Sequence, residues 1–159
     1  MHLTKIGHVL IAVHDLARSK EFYTRVLGLE ILEEDPDHGG LFLTIGEGTH
    51  VVDLVQLPGT QSPPVPQSFA QIRPSLGFGH VAFPVGSALD LRRAYFELLD
   101  NQVRVLGAVD HESQESIYFC DPDGNVLEIY WERPNAREIF QRGRNDQDRP
   151  VAFSRAEIA

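Results

Sequence analysis

The sequence predicts an α+β fold in which two βαβββ repeats form one curved mixed sheet around a cavity. The first observation is an internal repeat, because the segment GHVLIAV at residues 7–13 returns as GHVAFPV at residues 79–85. The second is that each copy is followed by a helical apolar pattern and then by three short extended runs. The third is the content of 13 Gly and 10 Pro in 159 residues, which indicates many turns. We therefore expect one domain, residues 1–159, with repeats at about 5–57 and 77–132.

Each predicted helix begins at a residue that caps helix N-termini well. Asp15 follows the first copy of the repeated segment, and Ser87 follows the second. Behind each cap, apolar side chains recur at helical spacing, and Gly28 ends the first helix. The apolar positions are Leu16, Phe22, Tyr23, Val26 and Leu27 in the first helix, and Leu91, Ala94, Tyr95, Leu98 and Leu99 in the second.

Three extended runs complete each repeat, and two further segments lie outside the repeats. The predicted strands are 29–33, 41–45 and 51–57 in the first repeat, and 103–106, 116–120 and 126–131 in the second. Between the repeats, residues 58–76 contain five prolines, which predicts an extended linker that can act as a lid. The charged tail, residues 133–159, carries one short predicted helix at 136–141, and we expect its end to be mobile or packed on a partner.

Charge and cysteine content narrow the class of function. A formal net charge of -9 argues against nucleic acid and anionic membranes as partners, since both require a cationic surface, and it favours a small organic substrate. Cys120 is the only cysteine, so no internal disulfide is possible. The sequence has no apolar run long enough for a signal peptide or a membrane span. We therefore expect a soluble cytoplasmic protein.

Strand alternation places one histidine of each repeat on the face turned away from its helix. His8 shares a strand face with Leu10 and Ala12, and His80 occupies the equivalent position in the second repeat. Glu128 lies at the centre of an apolar strand, where an unpaired carboxylate is costly. Two imidazoles and one carboxylate that converge in the cavity form a ligand set that leaves open positions on Fe(II) or a similar ion. The alternative is that both histidines are polar core residues with ordinary hydrogen bonds.

The strand at residues 49–57 carries two more candidates, His50 and Asp53. Because residues three apart on a regular strand face opposite ways, we expect only one of them in the cavity. If His50 faces the cavity, the more apolar face of the strand packs against the helix, so we prefer His50 as the cavity residue. The opposite register would make Asp53 a fourth ligand and His50 a surface residue.

Two further polar side chains precede a tight turn, the segment DPDG at residues 121–124. They are His111 and Tyr118, and Tyr118 shares a strand face with Ser116 and Cys120. Taken alone, His111 is typical of a loop, and Tyr118 is typical of a half-buried packing position. Cys120 has no evident activating neighbour, so we interpret it as a packing residue.

The repeat pattern and the ending of the second repeat together resemble a known superfamily. The two GHV openings and the segment DPDGNVLE at residues 121–128 resemble the vicinal oxygen chelate superfamily, which includes glyoxalase I, bleomycin-resistance proteins and type I extradiol dioxygenases. The resemblance covers roughly residues 5–132. Its most discriminating part is a His before an aromatic-flanked Tyr, then D-P-x-G, then a Glu ligand, as in extradiol ring-cleaving enzymes. His111, Tyr118 and Glu128 fit that pattern.

This resemblance implies an Fe(II)-dependent extradiol dioxygenase that cleaves a small catechol-type aromatic substrate with O2. The implied metal ligands are His8, His80 and Glu128. The implied catalytic residues are His50 as an acid–base group, with His111 and Tyr118 as hydrogen-bond donors to the bound substrate.

Two alternatives stay open within the same resemblance. One is a glyoxalase I-like lyase or isomerase that uses Ni, Zn or Mn, with Asp53 as a fourth ligand. The other is a non-catalytic small-molecule-binding protein of the bleomycin-resistance kind, without a working metal. Many extradiol enzymes have four such repeats in two domains, so their subunit arrangement does not carry over to a chain with two. Because two repeats leave sheet edges to cover, we expect a homodimer.

Overall fold

A computed structural model describes residues 2–35, 37, 39–62, 64–72, 77–144 and 148–158. Within it the chain forms two compact units, Met1–Ser62 and Pro63–Ala159. Their boundary falls inside the predicted linker, residues 58–76, of which 63 and 73–76 lie outside the described residues. Each unit contains one of the two predicted repeats.

The first unit is a four-stranded sheet with one helix. Its elements are β1 (Val9–Val13), α1 (Leu16–Glu21), β2 (Glu30–Asp35), β3 (Gly40–Thr44) and β4 (Val52–Gln56), in the sheet order β1-β4-β3-β2. β1 runs parallel to β4, and the other neighbours are antiparallel. As predicted, Asp15 caps α1, because its Oδ1 accepts a hydrogen bond from the Arg18 backbone N–H at 3.0 Å. The helix continues as a π-helical turn, Phe22–Val26, and the chain turns at Gly28, whose φ of 73° suits glycine.

Alternation along β1 confirms the predicted faces of this strand. Ile11 and Val13 are buried, whereas Leu10 and Ala12 are exposed. His8 directly precedes the strand and is exposed as well. The sequence therefore identified the apolar side of β1 correctly.

The second unit is a five-stranded sheet with two helices. Its elements are β5 (Val81–Pro84), α2 (Ala88–Asp100), β6 (Val105–Asp110), β7 (Gln114–Cys120), β8 (Val126–Glu132), α3 (Ala136–Arg142) and β9 (Arg149–Pro150), in the sheet order β5-β8-β7-β6-β9. β5 and β8 are parallel, and β6, β7, β8 and β9 pair antiparallel. Ser87 caps α2 as predicted, since its Oγ accepts from the Asp90 backbone N–H at 3.1 Å.

The structure confirms the α+β class and the two βαβββ repeats. It corrects one part of the prediction, because the described strands form two sheets rather than one curved sheet. Every described strand pair joins strands of the same unit, so the hydrogen bonding of each sheet is complete without the other repeat. The second sheet also gains β9, a strand of the tail that the sequence did not predict.

The tail begins with the predicted short helix, because α3 at Ala136–Arg142 matches residues 136–141. After α3, the described part of the tail resumes at residue 148, adds β9 to the edge of β6 and then forms a single 3-10 turn, Arg155–Glu157. Among the described residues, no helix is long and apolar enough to cross a membrane.

Part of the predicted linker packs on the second sheet. Its described residues include a 3-10 turn, Phe69–Gln71, which lies in the stretch of the linker that lacks proline. Three apolar side chains of this segment pack against residues of β6 and β7. Val65, Phe69 and Ile72 contact the cluster formed by Leu106, Val109, Tyr118 and Cys120. Val65 also lies close to the backbone of Gly124, because a Cβ added at Gly124 would lie 2.5 Å from Val65 Cγ2.

Candidate metal centre

The centre of the second unit is an ion pair between His80 and Glu128. His80 precedes β5, and the register of β5 with β8 sets Ala82 beside Glu128. Because His80 is two residues before Ala82, the side chains of His80 and Glu128 lie on the same face of the sheet. His80 Nε2 lies 2.8 Å from Glu128 Oε2, and Glu128 is only 2% exposed. The sequence suggested that this buried carboxylate needs a partner, and within the second unit His80 is that partner.

The two members of this pair shift each other's protonation. The hydrogen bond with Glu128 outweighs burial and raises the pKa of His80. Burial acts to raise the pKa of Glu128, but hydrogen bonds with His80 and Ser116 and the charge of His80 leave that pKa below its usual value. Each group therefore favours the charged form of the other, an imidazolium beside a carboxylate.

Glu128 also receives hydrogen bonds from β7. Gln114 Nε2 donates to Glu128 Oε1 at 3.0 Å and to Ser116 Oγ at 3.1 Å. Gln114, Ser116 and Tyr118 lie on one face of β7 because they are two residues apart. Strand parity was therefore a signal that could have identified Gln114 as a neighbour of the site.

Tyr118 lies directly across from Glu128 in the β7–β8 register. Burial and the charge of Glu128 raise the pKa of Tyr118 far above its usual value, so the phenol stays protonated. Its ring stands edge-on to His80, with centroids 5.5 Å apart and an interplanar angle of 87°. A neutral phenol that is aimed along this face can donate one hydrogen bond to a negatively charged group.

His111 joins this face from the turn between β6 and β7. Its Nε2 lies 3.0 Å from Tyr118 Oη, and its side chain is buried, with the residue 8% exposed. Its backbone N–H donates to Gln114 O at 2.8 Å, which closes the turn. Glu112 at the tip has a φ of 66°, a left-handed conformation that the turn requires. His111 is thus an ordered part of the site and not a solvated loop residue.

Two further residues of this site were not predicted. Asp148 Oδ1 lies 2.6 Å from His111 Nδ1, on the side of the ring opposite Tyr118. Phe69, from the linker, has its ring centroid 4.7 Å from that of Tyr118 and 6.0 Å from that of His111. Hydrophobic periodicity could not predict either contact, because Asp148 and Phe69 come from irregular segments outside the repeats.

The first unit contains a second group of possible ligands, His8, His50 and Asp53. Each offers one ligand atom, and the three atoms lie within 4.8 Å of one another. His50 Nδ1 is 2.6 Å from Asp53 Oδ1, and His8 Nε2 is 3.6 Å from Asp53 Oδ2. The two imidazole rings stack with centroids 4.4 Å apart. Asp53 is 6% exposed, so its charge is buried between the two histidines.

This geometry brings His50 and Asp53 together, although strand alternation predicted that they face opposite ways. The expectation assumed a regular strand over residues 49–57, whereas β4 begins at Val52. His50 therefore lies in the preceding connection, where side-chain alternation does not apply. Asp53 is buried, and His50 is half-buried beside it.

The predicted site residues therefore fall into two groups, one in each unit. His80, Glu128, Tyr118 and His111 lie together in the second unit. His8 lies with His50 and Asp53 in the first, so the convergence of His8 with His80 and Glu128 stays a prediction. Imidazole nitrogens and carboxylate oxygens in this combination fit divalent Fe, Mn, Ni or Zn.

Cys120 shows the inert environment that the sequence suggested. It is buried in the cluster beneath the linker segment. Burial and the charge of Asp121 raise its pKa to about 11. A thiol with this pKa is a poor nucleophile near neutral pH, so Cys120 serves packing.

Comparison with known proteins identifies the class to which this fold and these residues belong. Residues 5–129 match the model of the Glyoxalase/Bleomycin resistance protein/Dioxygenase superfamily, and the chain belongs to that superfamily. The resemblance drawn from the repeat and the DPDGNVLE segment is thereby confirmed. The superfamily consists largely of metal-dependent enzymes, among them dioxygenases, transferases and lyases.

Curated relatives include enzymes of more than one activity. The chain is 30% identical over 125 residues to biphenyl-2,3-diol 1,2-dioxygenase 3 of Rhodococcus globerulus, and 29% identical over 141 residues to catechol-2,3-dioxygenase of Bacillus subtilis. These matches cover 79% and 89% of this chain but only 62% and 45% of the two dioxygenases. It is also 31% identical over 132 residues to metallothiol transferase FosB of Staphylococcus epidermidis, which covers 79% of this chain and 81% of that protein.

Solved structures support the fold. A glyoxalase/dioxygenase from Nostoc punctiforme superposes with a TM-score of 0.66 at 24% identity, and the match covers 81% of this chain and 91% of that one. Lactoylglutathione lyase from Agrobacterium tumefaciens superposes with a TM-score of 0.60 at 21% identity, over 81% and 94% of the two chains. At these identities the likeness concerns the fold alone.

Proposed function

We propose that this protein is an Fe(II)-dependent extradiol dioxygenase that uses O2 to open the ring of a catechol-type aromatic substrate. The observation that carries the proposal is the 3.0 Å contact of His111 Nε2 with Tyr118 Oη, directly beside the His80–Glu128 pair. These residues match the His, Tyr and Glu pattern that separates extradiol enzymes from the rest of the superfamily. The similarity to a biphenyl-2,3-diol 1,2-dioxygenase and a catechol-2,3-dioxygenase gives further support.

His8, His80 and Glu128 would hold the ion in the working enzyme. When bound, Fe(II) supplies a Lewis acid for the paired hydroxyls of a catechol and a route for electrons to O2. Two neutral imidazoles and one carboxylate leave one positive charge on a divalent ion, which favours an anionic substrate oxygen. Before the ion binds, the proton that His80 holds toward Glu128 must leave, because a ligating histidine is neutral.

The remaining residues would handle protons and hydrogen bonds. His50 would accept a proton from a substrate hydroxyl, and the 2.6 Å contact of its Nδ1 with Asp53 would orient the ring. Tyr118 is kept neutral by burial and by Glu128, so it would donate its hydrogen bond to negative charge that develops on the substrate. Phe69 would exclude water from the Tyr118 and His111 side of the site.

The test is a ring-cleavage assay on protein that is purified without O2 and loaded with Fe(II). A panel of catechols is supplied with O2, and the ring-opened product is followed by absorbance and mass. We expect turnover in the wild type and a large loss of rate in Tyr118→Phe, with Tyr95→Phe on α2 as the matched control. Stoichiometric Fe(II) without ring opening of any catechol would overturn the proposal.

One observation favours a second candidate, a glyoxalase I-like isomerase. Asp53 is buried between His8 and His50, where a carboxylate can serve as a fourth ligand. Isomerisation of the methylglyoxal–glutathione adduct under Ni or Zn, together with metal loss in Asp53→Ala, would support this candidate. A protein that binds no metal in either assay would instead be a small-molecule-binding protein of the bleomycin-resistance kind.

The proposal includes a cytoplasmic homodimer. β1 and β2 are the two edges of the first sheet, and both carry exposed apolar side chains, among them Leu10 and Leu32. Exposed sheet edges are usually covered by another chain or element. Sedimentation at micromolar concentration is expected to show a dimer, and a strictly monomeric species would remove this part of the proposal.

A further inference from the structure

A chain of polar contacts reaches His111 from the tail. Asp148 Oδ1 lies 2.6 Å from His111 Nδ1, and His111 Nε2 lies 3.0 Å from Tyr118 Oη. The imidazole is buried, whereas the Asp148 side chain is 43% exposed. One ring nitrogen therefore faces a carboxylate at the rim, and the other faces the phenol inside.

We infer that Asp148 is a positioning residue that fixes the proton of His111 on Nδ1 and leaves Nε2 as the nitrogen that exchanges protons. An ionised carboxylate only accepts hydrogen bonds, so Nδ1 must carry a hydrogen to satisfy the 2.6 Å contact. In the neutral ring, Nε2 then accepts from the Tyr118 hydroxyl. In the protonated ring, Nε2–H donates to the Tyr118 oxygen, which leaves the phenol hydrogen available for donation to a bound substrate.

The two ring states differ only at Nε2, on the side that faces Tyr118 and the site. A hydrogen bond from one ring nitrogen to a carboxylate is a common means of selecting the tautomer of a functional histidine. Without Asp148, the proton can move to Nε2, and the neutral ring can then no longer accept a hydrogen bond from Tyr118. The hydrogen-bond direction along this face would reverse.

The backbone around Asp148 holds the carboxylate in place. The two residues that follow form β9, which pairs with β6 in the register Val109↔Pro150 and Asp110↔Arg149. Beyond β9, the Val151 backbone N–H donates to Ala108 O at 2.9 Å. The tail thus reaches His111 through a hydrogen-bonded strand and not through a free loop.

The tail is also tied to α2 farther along. Arg92 Nε donates to Glu157 Oε1 at 3.2 Å, and Arg155 forms an ion pair with Asp100. Phe153 packs edge-on against Tyr95, with ring centroids 5.2 Å apart. These contacts anchor both ends of the described segment 148–158, so Asp148 can be replaced without releasing the tail.

An ordinary exposed ion pair would explain the same contact without a role in the reaction. Such a pair would not select the tautomer, so its removal would leave the His111 proton on the same nitrogen and leave turnover unchanged. The two interpretations therefore differ in what happens to the His111 proton and to turnover, and not in stability.

The experiment observes the tautomer of His111 by long-range ¹⁵N–¹H correlation in the metal-free protein. We expect the Nδ1–H form in the wild type and a shift to the Nε2–H form in Asp148→Ala, with a partial shift in Asp148→Asn. Glu112→Gln is the matched control, because it removes a neighbouring carboxylate charge that pairs with Arg142 and does not contact the His111 ring. The same tautomer in the wild type and in Asp148→Ala would overturn the inference.

The effect on turnover rests on the proposed function, and the same variants separate the two ideas. With equal Fe(II) content, we expect Asp148→Ala to lower kcat by about 10-fold or more, with little change in KM. If the wild type opens no catechol but the tautomer shifts in Asp148→Ala, the proposed function fails and the positioning role stands. If the wild type opens catechols and Asp148→Ala keeps both tautomer and kcat, the positioning role alone fails.

Discussion

His80 Nε2, just before β5, lies 2.8 Å from Glu128 Oε2 on the neighbouring parallel strand β8, and the carboxylate is almost completely buried. The two groups are therefore already in contact before a metal binds. A metal that uses both must replace the proton between them, so proton and metal compete for His80. Glu128 lies on β8, which has a neighbour on each side in the second sheet, and His80 directly precedes the edge strand β5.

The first prediction concerns the stability of the metal-free protein as a function of pH. The lowered pKa of Glu128 gives stabilisation that is present above its ordinary value of 4.5 and is lost as pH falls through the folded value. The raised pKa of His80 gives stabilisation that is present below 6.5 and is lost as pH rises through the folded value. The contribution of the pair is therefore greatest between these two pH values.

Urea unfolding at a series of pH values measures this contribution. Because each group shifts the pKa of the other, Glu128→Gln and His80→Gln should each flatten the profile on both its acid and its alkaline sides. His2→Gln, near the exposed N-terminus, is the control. Profiles for the two variants that run parallel to that of the wild type would show that the pair does not hold its charges.

The second prediction assigns the ligands. His8→Ala, His80→Ala and Glu128→Ala should each lose bound Fe(II) while keeping the fold, because ligands hold the ion and contribute less to packing. Metal content after dialysis and circular dichroism check the two parts of this expectation. His14→Ala is the histidine control and should retain metal. Full stoichiometric metal in His8→Ala or His80→Ala would show that the ligand set is assigned wrongly.

How far the sequence predicted this site depends on whether each residue lies in a regular strand. The face that carries Leu10 and Ala12 was predicted because alternation in β1 is a local property. The pairing of His50 with Asp53 was not, because β4 begins two residues after His50 and alternation stops there. Because the predicted strand started too early, His50 and Asp53 were treated as alternatives, whereas they are neighbours in the structure.

Contacts from outside the repeats were beyond the reach of the sequence. Asp148 and Phe69 approach His111 through tertiary packing of the tail and the linker, and neither segment has a hydrophobic period that fixes its position. The division of the strands into two sheets was also not predicted, because periodicity indicates strands but does not show which strands pair.

The third prediction separates the two enzyme candidates through the first unit. If ring cleavage is the activity, His50→Ala should keep Fe(II) and lose about 100-fold or more of the rate, because it removes an acid–base group and not a ligand. Asp53→Asn should also keep Fe(II), with a smaller loss through its 2.6 Å contact with His50. Rates at matched iron content provide the measurement. Loss of metal in Asp53→Asn, with normal metal in His50→Ala, would instead favour the glyoxalase-like site.

The fourth prediction concerns the protonation of Tyr118. Because burial and Glu128 raise its pKa far above the ordinary value of 10.0, Tyr118 should remain a neutral phenol at about pH 11. Ultraviolet difference spectra at that pH should therefore show the same tyrosinate absorbance in the wild type and in Tyr118→Phe. In denaturant, the variant should have one tyrosinate fewer, which serves as the internal control. A missing tyrosinate in the folded variant would mean that Tyr118 ionises normally.

The measurement that tests the central claim most directly is the incorporation of ¹⁸O from labelled O2 into the product of a catechol. A dioxygenase adds both oxygen atoms of O2 to its substrate. With Fe(II)-loaded wild-type protein, we predict a ring-opened product that is heavier than the substrate by two oxygen atoms, both of them labelled before exchange with water. The same experiment on Glu128→Ala should give no product. An unlabelled product, or an unopened catechol beside stoichiometric iron, would contradict the assignment as an extradiol dioxygenase.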